Sequence, residues 1–187
     1  MVKKRSHDHL WQVGPSRVLF ESPIVSFIAS EVTSPRTSVA KDFYRFDFPG
    51  WVNIVALTPG REIVLIRQYR FGTGGMELEI PGGAIELNED PLAAGLRELL
   101  EETGFSGEQS RIIGQVCPNP AIQGNTCYTV LVENVTRQKA PTLDPMEDIE
   151  VLTMPEQDVF KLVRSGEINH GLVLNGLMFY RMTQRNW

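Results

Sequence analysis

Residues 90–104 constrain the fold most, because both ends of a helix are marked there. Asp90 followed by Pro91 is typical of a helix start, and Gly104 is typical of a helix end. Between them, side chains of one face recur at helical spacing: Leu92, Leu96, Leu99 and Thr103. This periodicity predicts a helix with one buried face. Strand-like segments precede and follow it, so we expect an α+β domain.

The segments around this helix alternate between strand and helix patterns. Strand patterns occur at 17–33, 42–49, 51–58, 62–70, 76–80, 111–116, 126–133 and 149–152. The turn at 59–60 predicts a hairpin, and residues 134–147 are expected to form a polar loop. Thr153–Glu156 resembles a capping box and predicts the start of a helix. A last helix is expected over 170–183, with His170 at its start.

Three glutamates lie nearly opposite the leucines of the helix, at positions i, i+3 and i+4: Glu98, Glu101 and Glu102. Like charges at this spacing repel each other by about a few tenths of a kcal/mol per pair. The three therefore form either a solvated acidic face or a cation site, since carboxylate oxygens are the ligands that Mg²⁺ and Mn²⁺ prefer. Arg97 lies four residues before Glu101 and can brace that carboxylate.

The glutamates belong to a longer pattern. Gly83, Glu89 and the run Arg97–Phe105 stand at the spacing of the Nudix box, G-x5-E-x7-R-E-U-x-E-E-x-G-U with U an apolar residue. Every fixed position from 83 to 105 matches, so the chain resembles the Nudix family. The resemblance implies an α/β/α sandwich with a mixed sheet, in which the box forms a loop–helix–loop. It also implies metal-dependent hydrolysis of a nucleoside diphosphate linked to another group.

The resemblance also implies roles for the residues of the box. Glu98 and Glu102 correspond to direct metal ligands, with Glu101 assisting and the backbone carbonyl of Gly82 completing the set. By the same resemblance, Arg97, Glu101 and Glu102 are expected to be catalytic residues. The expected cofactor is Mg²⁺, with Mn²⁺ as the open alternative.

The long segment before the box indicates a branch of the family, because 82 residues precede Gly83. It is similar to the ADP-ribose and nucleoside-diphosphate-sugar pyrophosphatases. That similarity implies an N-terminal antiparallel β extension over 1–50 for dimerisation and substrate binding, followed by a Nudix hydrolase domain over 51–187. It implies a homodimer that converts ADP-ribose or a related nucleotide sugar, such as GDP-mannose, to a nucleoside monophosphate and a sugar phosphate. Two alternatives remain: a hydrolase of nucleoside triphosphates or dinucleoside polyphosphates, and a non-catalytic binding module.

Two further stretches carry candidate substrate residues by the same resemblance. Arg70 ends a strand like the one whose last arginine contacts the diphosphate. The sequence leaves open that it pairs with Glu77 or Glu79 instead. Glu79 precedes the box and is expected near the metals. The loop 118–125 departs from the usual Ser-Pro-Gly pattern, which leaves the preferred nucleotide sugar open.

Aromatic and basic residues of the N-terminal strands supply two more candidates. Trp51 can stack on a nucleobase, and Arg45 can contact a diphosphate or ribose. The alternative is that the aromatic residues pack the sheet or a dimer interface.

The resemblance to the ADP-ribose branch also implies that the general base comes from a mobile acidic loop after the box. Glu147 occupies the position that resembles the acid of the ADP-ribose branch, and it is the first candidate for the base. Asp144 and Asp148 are the second candidates. They rank behind Glu147 because acidic residues in loops are often only solvated.

Charge and composition limit the partners. The net charge is −5 and the isoelectric point about 5.3, which disfavours nucleic acid as a partner. No apolar run reaches the roughly 18 residues of a membrane span, and the N-terminus has no signal-like apolar region. Two cysteines without metal spacing favour a reducing compartment, so we expect a cytoplasmic protein.

Overall fold

The structure is a computed structural model that describes residues 10–184, and its contacts divide the chain into two units. The first unit holds the residues up to Pro49 together with Cys117–Asn125. The second holds Gly50–Val116 and the chain from Thr126 onward. Residues 117–125 therefore group with the N-terminal strands, although they follow the box in sequence.

The first unit is an antiparallel sheet. Its strands, in the order in which they pair, are β1 (Gln12–Glu21), β2 (Ser26–Thr33) and β3 (Ala40–Asp47). The ring of Phe27 on β2 packs against Tyr44 and Phe46 of β3, with centroids 5.6 Å and 4.9 Å away. Most side chains of β1 and β3 are exposed. The predicted N-terminal antiparallel extension is confirmed.

Among the residues that the structure describes, the second unit contains nine strands of different lengths and three helices. The strands are β4 (Trp51–Leu57), β5 (Glu62–Arg70), β6 (Gly75–Glu79), β7 (Gly82–Ala84), β8 (Phe105–Ser106), β9 (Gln109–Val116), β10 (Cys127–Glu133), β11 (Thr136–Arg137) and β12 (Glu150–Pro155). The helices are α1 (Pro91–Thr103), α2 (Glu156–Ser165) and α3 (Gly171–Thr183). No helix within 10–184 is long and apolar enough to cross a bilayer.

The main sheet of this unit is mixed. Its central path is β12-β5-β4-β10-β9, while β6 pairs with β5 and β7 pairs with β4. Strands β4 and β10 run parallel, and the other pairs are antiparallel. The predicted hairpin of β4 and β5 is present, with Leu57 opposite Ile63.

Each face of the sheet has its own apolar core, because successive strand residues point to opposite sides. On β4, Val52, Ile54 and Ala56 pack with Leu99 of α1. Val55 and Leu57 face the other way, into the core that also holds the buried residues of α2 and α3: Val159, Val173, Leu177 and Tyr180. Helix α1 thus covers one face and α2 and α3 cover the other, which confirms the α/β/α sandwich.

Helix α1 has the ends that its sequence predicts. The Asp90 side chain accepts hydrogen bonds from the backbone N–H groups of Leu92 and Ala93 at 3.0 Å and 3.1 Å. Gly104 closes the helix in the left-handed region at φ 74°. Such a φ is accessible to glycine without a steric cost.

Two expectations about the C-terminal half were wrong. Thr153 does not cap a helix: it lies in β12 opposite Val64, and its hydroxyl donates to Glu62 at 3.2 Å. Helix α2 instead begins at Glu156 after Pro155, without a side-chain cap. The stretch 134–147 is not all loop, because β11 pairs with β8. In both places pairing with a distant strand prevails over the local signal.

Candidate active site

Strand β7 brings two consecutive glycines against the acidic side of α1. The backbone N–H of Gly82 donates to Glu102 Oε2 at 2.9 Å. A Cβ at Gly83 would overlap the carboxyl group of Glu98, and one at Gly82 would lie 2.5 Å from the carbonyl oxygen of Val52. Glycine at 82 therefore avoids a clash with the backbone of β4, and glycine at 83 leaves room for the Glu98 carboxyl group. We call Glu98 and Glu102 the carboxylate pair.

The carboxylate pair is crowded with negative charge, and its two members differ in burial. Glu98 is half-buried, with 14% of its side chain exposed. Glu102 is 5% exposed. Burial raises the pKa of Glu102 to about 8, and the charges of Glu98 and Glu147 add to the rise. Burial likewise raises the pKa of Glu98, against the opposing hydrogen bond from Arg97. Two acids kept this close need a counter-charge to be ionised together.

The donors at this place fit a hard divalent cation. Within residues 10–184 no three acidic, histidine or cysteine side chains form a ready metal cluster. Mg²⁺ nevertheless takes one or two carboxylates and keeps several waters, which the carboxylate pair and the small cradle at Gly83 can accommodate. Glu101 lies further out, with 44% of its side chain exposed, and is held by Arg97.

Arg97 joins the acids of the box into one network. Its Nε and Nη2 donate to the two oxygens of Glu89 at 2.9 Å each. Its Nη1 donates to Glu98 at 2.9 Å and to Glu101 at 3.0 Å. Nη2 also donates to the carbonyl oxygen of Ala84 at 3.1 Å. One guanidinium therefore fixes three carboxylates and the end of β7, and these pairs raise its pKa, the Glu89 hydrogen bond most.

A second buried acid, Glu79, lies at the end of β6 and is 2% exposed. Arg70 Nε and Nη2 donate to its two oxygens at 3.0 Å and 2.6 Å. His170 Nδ1 lies 3.1 Å from its Oε1. Burial alone would raise the pKa of Glu79, but the hydrogen bonds from His170 and Arg70 outweigh it and lower the pKa to about 2. We call these three residues the Glu79 triad.

The Glu79 triad lines a cavity of about 420 Å³. Of the two alternatives for Arg70, pairing with Glu79 is the one present in this structure; contact with a diphosphate stays a prediction. Sequence reasoning placed His170 only at the start of a helix and missed it as a site residue. Its partner lies 91 positions earlier, and only the docking of α3 on the sheet brings the two together.

The other substrate candidates are in hydrogen bonds of their own. Trp51 is half-buried, and its Nε1 donates to Asn53 Oδ1 at 2.9 Å. Arg45 belongs to the first unit, where its Nε lies 3.0 Å from Asp47 Oδ1. Nothing in these contacts tests the expected stacking by Trp51 or the expected binding by Arg45, and both stay predictions.

Of the three loop acids, Glu147 is the one whose charge acts on the carboxylate pair. It raises the pKa of both Glu98 and Glu102. Glu147 itself is exposed, and its Oε2 accepts a hydrogen bond from the backbone N–H of Asp144 at 2.9 Å. Asp148 is exposed as well.

Several known proteins resemble this chain in sequence or in fold. A model of the NUDIX domain matches residues 48–173. The chain is 28% identical over 151 residues to an ADP-ribose pyrophosphatase of Bacillus subtilis, covering 80% of this chain and 81% of that protein. It is 36% identical over 103 residues to an ADP-sugar pyrophosphatase of Mus musculus, covering 52% and 47%.

A third relative is similar in sequence, and one solved structure is similar in fold. A GDP-mannose pyrophosphatase of Salmonella typhimurium is 31% identical over 128 residues, covering 63% of this chain and 66% of that protein. The crystal structure of an ADP compounds hydrolase superposes with a TM-score of 0.81 at 20% identity, covering 92% and 93% of the two chains. At that identity the superposition supports the fold alone.

Proposed function

The chain belongs to the Nudix family, and on that premise we propose that it hydrolyses the pyrophosphate bond of ADP-ribose or a related nucleoside diphosphate sugar. The products are a nucleoside monophosphate and a sugar phosphate. Relatives named for ADP-ribose, ADP-sugars and GDP-mannose support this substrate class.

The carboxylate pair is the observation that carries the proposal. Glu102 is buried and Glu98 is half-buried beside Gly82 and Gly83, and burial together with neighbouring negative charge raises the pKa of both. We propose that they hold Mg²⁺ or Mn²⁺ with the carbonyl oxygen of Gly82, assisted by Glu101. A divalent cation bound there would neutralise phosphate charge and lower the pKa of a water.

The chain's own residues supply the rest of the reaction. The oxygen of a water adds to one phosphorus, and the bond from that phosphorus to the bridging oxygen breaks. Glu147 accepts the proton of the attacking water on a carboxylate oxygen. Arg97 keeps Glu98 and Glu101 in place, and Arg70 offers a fixed positive charge to the diphosphate, which an acidic protein needs.

Turnover against a panel of substrates tests the proposal. ADP-ribose, ADP-glucose, GDP-mannose, NADH, a dinucleoside polyphosphate and dGTP would be compared in Mg²⁺ and in Mn²⁺, with products separated by chromatography. We expect the highest kcat/KM for ADP-ribose or another nucleotide sugar. Preference for dGTP or the dinucleoside polyphosphate would contradict the substrate class and leave the family unchanged.

The variant Glu102→Gln separates the metal role from general effects on the fold. It removes a charge that would bind the cation, so kcat should fall by about 10²-fold or more. Glu108→Gln is the matched control, because Glu108 is an exposed acid between β8 and β9. Near-normal kcat in Glu102→Gln, with the thermal midpoint unchanged, would refute the assignment.

We further propose that the protein is a cytoplasmic homodimer that pairs through the sheet of the first unit. Large apolar side chains on β1 and β3 are exposed: Val18 59%, Phe20 60%, Phe43 46% and Tyr44 51%. The pairing register puts Val18 and Phe43 on one face of the sheet and Phe20 and Tyr44 on the other. Exposed apolar side chains of this size are typical of interaction surfaces. Light scattering should give the mass of two chains for the wild type and of one chain for Phe20→Glu. Met182→Glu, at an exposed apolar position of α3, should stay dimeric, and a monomeric wild type would contradict the proposal.

A further inference from the structure

A cavity of about 470 Å³ lies on the α2 and α3 side of the second unit, and it shares no residue with the site on α1. Three arginines line it, from the turn before β5, the end of α2 and the end of α3: Arg61, Arg164 and Arg181. We call it the arginine cavity. Arg181 is eleven positions beyond His170, or about 16 Å along a helix axis. The cavity is therefore well removed from the Glu79 triad.

Positive charge in the arginine cavity is only partly balanced. Glu156 is the one acid among its described lining residues. Its two oxygens accept from Arg61 at 3.0 Å and from Arg181 at 3.4 Å, and Tyr180 donates to it at 2.9 Å. Within residues 10–184 no ion pair includes Arg164. One carboxylate thus faces three guanidinium groups in a protein whose net charge is negative.

Arg61 is held in place at a conformational cost. Its φ is 58°, in the left-handed region where a glycine would be unstrained. Its backbone N–H donates to the carbonyl oxygen of Thr58 at 2.9 Å. Its Nη2 also donates to the Tyr180 hydroxyl at 2.7 Å. The turn between β4 and β5 therefore presents a positioned guanidinium to the cavity.

The cavity also offers an aromatic surface. The ring of Phe160 on α2 lies under the Arg181 guanidinium, whose Cζ is 5.5 Å from the ring centroid. An arginine stacked on an aromatic ring is pre-organised to bind phosphate through its fork of N–H donors. The volume falls in the range of small-molecule sites.

From these contacts we infer that the arginine cavity binds the phosphate groups of a nucleotide, as a second site separate from the carboxylate pair. Arg164 supplies charge that no described residue balances, and Arg61 and Arg181 supply positioned donors. This inference does not depend on the hydrolytic activity, because the site lies on the opposite face of the sheet from α1.

Calorimetric titration of ADP into the full chain tests the inference. EDTA in the buffer keeps divalent cations away, so that phosphate cannot be held through a metal at the carboxylate pair. We expect Arg164→Gln to weaken ADP binding by about tenfold or more, the effect of losing one charged hydrogen-bond partner. Arg137→Gln, at an exposed arginine of β11 outside the cavity lining, should leave the Kd within about twofold.

Adenosine serves as the uncharged comparison in the same experiment. It should bind far more weakly than ADP, since the arginines contact phosphate and not the base. Three results would overturn the inference: no ADP binding at millimolar concentration, equal binding of adenosine and ADP, or loss of binding in Arg70→Gln with retention in Arg164→Gln. Because Arg164 is exposed, its replacement should not disturb folding, and an unchanged thermal midpoint would verify this.

Discussion

Replacing Glu79 by glutamine should destabilise the protein at neutral pH and much less in acid. The change keeps the size of the side chain and removes the charge that Arg70 and His170 share. The glutamine amide would also direct a donor toward a donor of Arg70, since each guanidinium N–H needs an acceptor. Glu79 is 2% exposed, so solvent screens these interactions little.

The magnitude follows from the pKa of Glu79. Its folded value of about 2 lies below the ordinary 4.5, and one pKa unit corresponds to about 1.4 kcal/mol. The charged form therefore contributes about 3 kcal/mol to the free energy of unfolding at neutral pH. For an acid with a lowered pKa, this contribution is complete above 4.5 and is lost as the pH falls toward 2.

Urea unfolding of the wild type and Glu79→Gln between about pH 7 and pH 3 measures the effect. The difference in unfolding free energy should be about 3 kcal/mol near pH 7 and should shrink by about 1.4 kcal/mol per pH unit below pH 4.5. Glu77→Gln is the matched control, because Glu77 is a half-buried acid of the same strand that lines the same cavity. It should change the free energy by less than about 0.5 kcal/mol.

A difference that stays constant over this pH range would refute the reasoning. It would mean that Glu79 contributes by packing and not by charge. A difference below about 0.5 kcal/mol at neutral pH would refute it as well, because the triad would then be no stronger than an exposed ion pair.

Three further predictions concern positions where packing is tight. Gly83→Ala places a methyl group where the Glu98 carboxyl lies, so kcat should fall by about 10²-fold while circular dichroism stays native; unchanged kinetics would contradict the site geometry. Leu99→Ala opens a cavity in the core under α1 and should lower the free energy of unfolding in urea by about 3 kcal/mol. A loss below about 1 kcal/mol would contradict the tight packing of Leu99. Gly114→Ala would overlap the ring of Phe179 on α3 and should cost about 1–3 kcal/mol in thermal unfolding; a stabilised variant would show that the helix can shift freely.

Local signals were sufficient for the helix of the box. Asp90 and Gly104 mark its ends within the sequence itself, and the structure has the helix with those caps. The spacing of Glu98 and Glu102 by four residues also puts both on one side of a helix, whatever surrounds it. The arrangement could therefore be predicted before the fold.

The environment of the same residues could not be predicted. Helical periodicity alone places Glu102 at the side of the leucine face, where an acid is expected to stay partly exposed, yet it is only 5% exposed. The reason is β7, which pairs with β4 through Gly82 and Gly83 and thereby covers that side of the helix. Burial by a strand outside the helix leaves no periodic trace in the helix sequence.

Contacts between distant segments were the other limit. Thr153 carries a good capping signal, but its place opposite Val64 in the sheet prevails. His170 reaches Glu79 only because α3 packs on the sheet. Neither contact is marked by a local sequence pattern. Predicting either one would require knowing the complete strand order and the packing of the helices.

The parallel pairing of β4 with β10 also bears on how the protein is made. Trp51 stands opposite Cys127, so the centre of the sheet closes a loop of about 75 residues, which slows folding because the chain entropy is lost before the contacts form. Strand β7 and helix α1 lie inside that loop. During synthesis we therefore expect the carboxylate pair to take its final place only after β10 has left the ribosome, and a chain arrested before Glu133 should be unable to protect α1 from a protease.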